Sequence, residues 1–446
     1  MHKPDLVILG GGPAGLATAY YAQQQAISCL LLEKESSPGG LCRTIRFGNH
    51  RYDLGAHRFH DRNPEVTADV ARLLDGHLRE VSAPSKIYRW RRFIDFPPTP
   101  LNLLSSVPPT YALAIAWDLL RARIRRKSVQ NFEDYCVNAF GRTLAKTLLI
   151  DYSQKLWGEP ANRLSPAVAT RRLSGISVAS LLLELFGGSR KTTHLDGHFL
   201  YPEEGYGAIT DALCNHLQSG TVVTNSAVTR LDHLNGKIQS VLHRGGCQEL
   251  GDRGIVVSTL PVSLLVRMLH PPPEPEVLEA AKRLKFRHLR LIYLRLEQAR
   301  FSEQSSIYIP DPEICVTRIT EPKNRSPKMA PAHETGIAVE VPCSDGEAIS
   351  ELPTEDLVDR VRNELRQNGL LEPSRVLDWQ HHFLPNAYPV YDLDYRNNVQ
   401  QVLEGVKRLG NLWLVGRQGL FFYSHLHDQF QMGRDLVKLL VPSSEP

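Results

Sequence analysis

Two histidines three residues apart, His57 and His60, stand in the stretch YDLGAHRFHDRNPEV, inside a short turn anchored by Gly55. Imidazoles ligate metals, move protons near neutral pH, or pack as satisfied core groups. A metal site needs third and fourth ligands at suitable spacing. His425 and His427 form the one comparable pair, and no HExxH or CxxC accompanies them, so no metal is expected. Proton handling and packing are left open until the surroundings of the turn are known.

Those surroundings begin with DLVILGGGPAGLATAYYAQQQAISCLLLEKE. Leu6 to Leu9 suits a buried parallel strand, and Gly10, Gly12 and Gly15 spell GxGxxG before a helical pattern. Gly10 permits a tight turn, Gly12 lets backbone approach a pyrophosphate, and Gly15 lets helix and strand pack closely. The helix N-terminus faces the negative charge. A second apolar run, Cys29 to Leu32, ends in Glu33, where a carboxylate can hold ribose hydroxyls. Strand, helix, strand and acid in this order indicate a dinucleotide site.

The rest of the composition narrows the class. The chain has 446 residues, enough for two domains. Its 52 basic and 48 acidic residues leave a net charge of +4, which argues against a dedicated nucleic-acid binder. Seven scattered cysteines read as reduced thiols of a cytoplasmic protein. No apolar run approaches the ~20 residues that span a bilayer. Tyr111 to Lys127 has two readings: a buried helix with a solvated basic end, or a segment resting peripherally on an anionic membrane surface.

After Glu33 comes SSPGGLCRT, with Gly39 and Gly40 adjacent and Arg43 three residues on. Here the sequence resembles the FAD-dependent amine oxidase superfamily, in which such a turn lies against the cofactor. GIVVSTLP, Gly254 to Pro261, is similar to its later strand. Further motifs resemble the UDP-galactopyranose mutase-like and protoporphyrinogen oxidase-like branch. They are GAHRFHDRNPEV, FEDYCVNAFG, YSQKLWG, TRITEPKN, AYPVYD and GRQGLFFYSHLH, in the family's order, to about residue 433.

The resemblance implies FAD, bound by Gly10, Gly12, Gly15, Glu33, Gly39, Gly40, Arg43, Gly55, Gly416 and Arg417. It implies that His60 sits at the flavin face with His57 behind it, both tuning the flavin. It also implies that Trp157, Arg318, Tyr388, Arg417 and Tyr423 bind a nucleotide-sugar substrate. The residue types suit this: Arg318 and Arg417 can clamp a diphosphate, the tyrosines can donate hydroxyls, and Trp157 offers a flat face. Other roles stand beside these. Trp157 suits a core, Arg318 has Glu321 nearby for a salt bridge, and Arg417 opens a glycine turn suited to a cofactor phosphate.

The expected fold is α/β: a Rossmann-like FAD-binding domain with a discontinuous α+β substrate domain. The first is expected over 1–75, 200–265 and 385–446, the second over 76–199 and 266–384. TVVTNSAVTRLDHLNGKIQSVLHRGG carries a hairpin signal at NGK. The sequence departs from the mutases after Trp157 and at His425, where they place an aspartate. The expected activity is therefore an FAD-dependent oxidoreductase on a sugar nucleotide or related phosphorylated substrate, by hydride transfer to flavin N5. The alternative is a redox-neutral mutase that uses reduced N5 as nucleophile.

Overall fold

The computed structural model describes residues 3–96, 98, 100–122, 128–172 and 198–441. Arg123, Arg125 and Arg126 of the basic run, and residues 173–197 of the departure region, lie outside the described residues.

A five-stranded parallel sheet carries the dinucleotide motif. Its order is Leu412–Leu414, Ile255–Ser258, Leu6–Leu9, Cys29–Leu32, Val222–Val223. Leu6–Leu9 lies near the middle and every residue of it is buried, as an all-apolar run between two helical layers must be. Helix Pro13–Gln24 follows, and Gly433 of helix Leu426–Leu440 lets that helix settle on it: a Cβ there would stand 2.9 Å from Thr18 N.

The other half rests on a seven-stranded mixed sheet. Its order is Val376–Pro389, Phe286–Leu296, Thr335–Cys343, Arg318–Thr320, Ser306–Tyr308, Ser85–Arg89, Arg92–Phe96. Leu289, Leu291 and Tyr293 face Tyr52 and Leu54, whereas Ile292, Leu294 and Leu296 face helix Thr354–Gln367. Both faces of Phe286–Leu296 are therefore covered. Its Arg290 is buried too and donates to Ile349 O. A layer of helices, among them Phe132–Phe140 and Asp151–Trp157, closes this half.

The expected hairpin forms: Val228–Leu234 pairs with Lys237–His243 around Asn235 and Gly236, both at positive φ. Three expected boundaries fall inside elements: 199/200 in strand His198–Pro202, 265/266 in helix Val262–Met268 and 384/385 in strand Val376–Pro389. Residues 385–389, assigned by sequence to the FAD domain, continue the seven-stranded sheet, because the pairing runs on to Phe286 opposite Pro389. Among the described residues no helix is long and apolar enough to cross a membrane.

Candidate functional site

The glycine motif closes as the spacing requires. Gly10 takes φ +98°, and a Cβ on it would strike Thr259 Oγ1 at 2.3 Å. A Cβ on Gly15 would meet Gly10 O at 2.1 Å, so helix and turn touch there. Gly12 is different: a Cβ on it would meet nothing within 4 Å. Beside this open side, Glu33 is buried, its Oε2 accepting from Gly11 N–H at 2.7 Å and its Oε1 from Glu35 N–H at 2.8 Å. Gly39 and Gly40 pass alongside, Gly40 so close that a Cβ would come 3.1 Å from Gly12 Cα. Arg43 fixes that turn by donating to Gly40 O at 3.2 Å.

The histidine turn lies between the two halves. Gly55 takes φ +142°, which turns the chain so that the His57 ring stacks on Tyr206 at 4.8 Å. His57 Nε2 meets Leu41 O at 2.8 Å, so that nitrogen carries the proton. Burial pushes the imidazole's pKa down to about 3, against the hydrogen bond to Leu41 O, and Arg417, Arg325 and Arg318 lower it further. It is neutral at physiological pH. Behind it Asp53 accepts from Tyr201 OH, Thr44 Oγ1 and Tyr206 N–H, and Arg325 donates to His57 O at 2.9 Å. His60 lines the same cavity, 6.4 Å edge-on from Phe199.

At the other end of the cavity, Arg318 is half-buried and makes a two-pronged pair with Glu340, Nε at 3.0 Å and Nη2 at 2.7 Å. The neighbouring Glu321, named from sequence as its salt-bridge partner, instead accepts from the Phe301 and Ser302 backbone. Antiparallel pairing is the reason, since it sets Arg318 opposite Glu340. Gly416, at φ +83°, packs on Ala14 and presents Arg417, which donates to Ser424 O and Ala387 O. Tyr388 and Tyr423 stack at 6.2 Å and also line the cavity. Trp157 does not line it. The ring is 1% exposed, packed among Tyr388, Tyr391 and Tyr423, so it backs the cavity wall instead of offering a face to a ligand.

These groups share one cavity of about 530 Å³, from Gly10, Gly12 and Glu33 at one end to Arg318 and Tyr388 at the other. Such a volume suits a cofactor or substrate site. Residues 13–422 match the family model for flavin-containing amine oxidoreductases. The chain belongs to that family. It is 31% identical to coproporphyrinogen III oxidase from Mycobacterium bovis over 137 residues, a match covering 30% of each chain. The chain thus spans under a third of that relative's length. Against coproporphyrinogen III oxidase from Bacillus subtilis it is 20% identical over 91% of both chains. Its fold matches the crystal structure of reduced UDP-galactopyranose mutase with a TM-score of 0.86, 19% identity, and 99% and 97% of the two chains covered.

The cofactor of this flavin-containing amine oxidoreductase is FAD, and the residues present fit it. The open side of Gly12, beside a helix N-terminus with no side-chain cap, suits a pyrophosphate. Several lining residues were not singled out from sequence: Arg58, Arg62, Tyr152, Tyr206 and Tyr308. Arg58 and Arg62 flank His60 in the quoted turn, where two cations beside the histidines were a usable signal. Tyr308 had none, since its strand Ser306–Tyr308 is three residues long. Burial lowers the His425 imidazole to about 4.

Proposed function

We propose that this chain is an FAD-dependent oxidoreductase acting on an anionic, nucleotide-linked or phosphorylated sugar. One observation carries this. The substrate side is lined by Arg58, Arg62, Arg318 and Arg417 with Tyr152, Tyr308, Tyr388 and Tyr423 among them. Among the described lining residues the only carboxylates are Glu33 and Glu35, at the nucleotide end. A positive, low-dielectric cleft concentrates anions and repels amines.

Bound FAD supplies the two-electron chemistry that no side chain can perform. The chain's own groups bind, orient and handle protons. Arg417 and the hydroxyls of Tyr388 and Tyr423 hold the anionic portion. The apolar wing of Ile87, Phe96, Phe132, Leu148 and Val168 excludes water and suits a flat base. His60 lines the cavity, which supports giving it the proton of a hydroxyl that is oxidised, with His57 packed behind the same turn.

A mutase-type, redox-neutral sugar isomerase is the second reading, favoured by the grouping of Arg417, Tyr388 and Tyr423 on one wall. The test is anaerobic mixing of oxidised holoprotein with a panel of nucleotide sugars while the visible flavin band is followed. Bleaching by one sugar is the expected result. Isomerisation appearing only after chemical reduction would select the mutase. Silence in both states would overturn sugars as the substrate class.

A further inference from the structure

We propose that Arg58 is an anion-recognition residue, receiving a phosphate or carboxylate group of the substrate. The inference rests on the proposed function only in taking the substrate to be an anion.

Arg58 sits between the two histidines of the turn and lines the cavity. Its Nη2 donates to Ser85 Oγ at 2.6 Å and Ser305 Oγ at 2.9 Å. Both serines are buried, and the guanidinium carbon lies 5.1 Å from the Phe199 ring centroid. Two hydroxyls and a ring face therefore fix its orientation. Nε and Nη1 have no protein acceptor among the described residues, and no carboxylate there lies within ion-pair distance.

The other deep arginines differ. Arg89 pairs with Asp151, Arg287 with Glu347 and Arg318 with Glu340. Arg325 has Asp53 at 3.9 Å. Arg290 and Arg417 have only neutral acceptors among the described residues, yet each of their guanidinium nitrogens donates to at least one. Arg58 differs in that only Nη2 has a protein acceptor among the described residues. Burial, with Arg325 and Arg318 nearby, disfavours its charge, whereas Tyr308 favours it. Keeping a partly desolvated guanidinium without a counter-ion costs stability, and such violations concentrate at functional sites.

The unused fork matches a carboxylate or phosphate edge, which takes two parallel N–H bonds. Ser85 and Ser305, 3.3 Å apart and outside the cavity lining, hold the guanidinium from behind, so that Arg58 itself is the group that meets the anion.

The test uses FAD-loaded wild type, Arg58→Gln and Arg58→Lys. Each is titrated with UDP and with inorganic pyrophosphate, following the flavin band, and its melting temperature and FAD content are recorded. Both probes are expected to bind wild type, and Arg58→Gln to weaken each about tenfold or more. Arg58→Lys should lose less, since it keeps the charge but not the fork. FAD content should be unchanged in both variants. Equal affinity in wild type and Arg58→Gln overturns the proposal, as does a loss that only tracks melting temperature or FAD content. Pyrophosphate binding that depends on Arg58, without UDP binding, would sink the nucleotide-sugar reading and leave Arg58 standing. Failure of both probes in wild type overturns Arg58 as well.

Discussion

Arg417 lies against Tyr423: its guanidinium carbon is 4.9 Å from the ring centroid, and Nε and Nη2 both donate to Ser424 O. The side chain is thus held flat by a ring and by carbonyls, with no carboxylate among the described residues in an ion pair with it. Arg417→Ala should weaken UDP binding about tenfold or more and lower stability by about 1–3 kcal/mol, since the carbonyls lose their donors. FAD should stay bound. Flavin absorbance after gel filtration and a UDP titration check this; release of FAD would assign Arg417 to the cofactor.

Two glycines of one motif should fail in different ways. A Cβ on Gly12 meets nothing within 4 Å among the described residues, and its φ of −73° is open to residues other than glycine. Gly12→Val should therefore leave apoprotein stability within about 0.5 kcal/mol of wild type, as surface changes do, while abolishing FAD binding. Gly15→Ala drives a methyl into Gly10 O and should lower the apoprotein melting temperature itself. Equal melting losses in the two variants would contradict the open cradle at Gly12.

The nucleotide half was legible because each step is local: strand, turn, helix, strand and acid lie within residues 6–33, and each glycine's role follows from its position. The substrate half was less so. The partner of Arg318 comes from a strand 22 residues on, through a register that no periodicity announces. Trp157 showed the same limit: its type promised a stacking face, but only the packing of Asp151–Trp157 against Tyr391 decides which side the ring meets. The break at residue 385 was missed because Pro385 and Asn386 look like a turn. Asn386 does take φ +54°, yet the strand continues through it.

Trp157 offers a direct test of that packing. Its indole N–H has no acceptor among the described residues, and the ring is buried and outside the cavity lining. Trp157→Phe removes the unsatisfied donor while shrinking the ring, two effects that oppose each other, so stability should change by only about 1 kcal/mol. UDP affinity should stay within about twofold, well under 1 kcal/mol. A tenfold loss of affinity with an unchanged melting temperature would mean that the indole touches the ligand after all.

His57 should make the protein acid-sensitive in a defined window. In the unfolded chain a histidine titrates near 6.5. In the fold, burial holds His57 down to about 3. Between these values the unfolded state binds a proton that the folded state refuses, so stability rises with pH and is lost as pH falls below about 6.5. The loss amounts to about 1.4 kcal/mol per pH unit, or on the order of 2 kcal/mol between pH 7 and pH 5. His57→Gln keeps a donor for Leu41 O but cannot titrate. Urea unfolding at pH 7 and pH 5 should show a smaller drop in the variant than in wild type by about that amount. His425, held down to about 4, contributes the same sign in both proteins and cancels in the comparison. Equal drops would mean that His57 accepts its proton in the folded state, and the neutral imidazole beside Tyr206 would have to be abandoned.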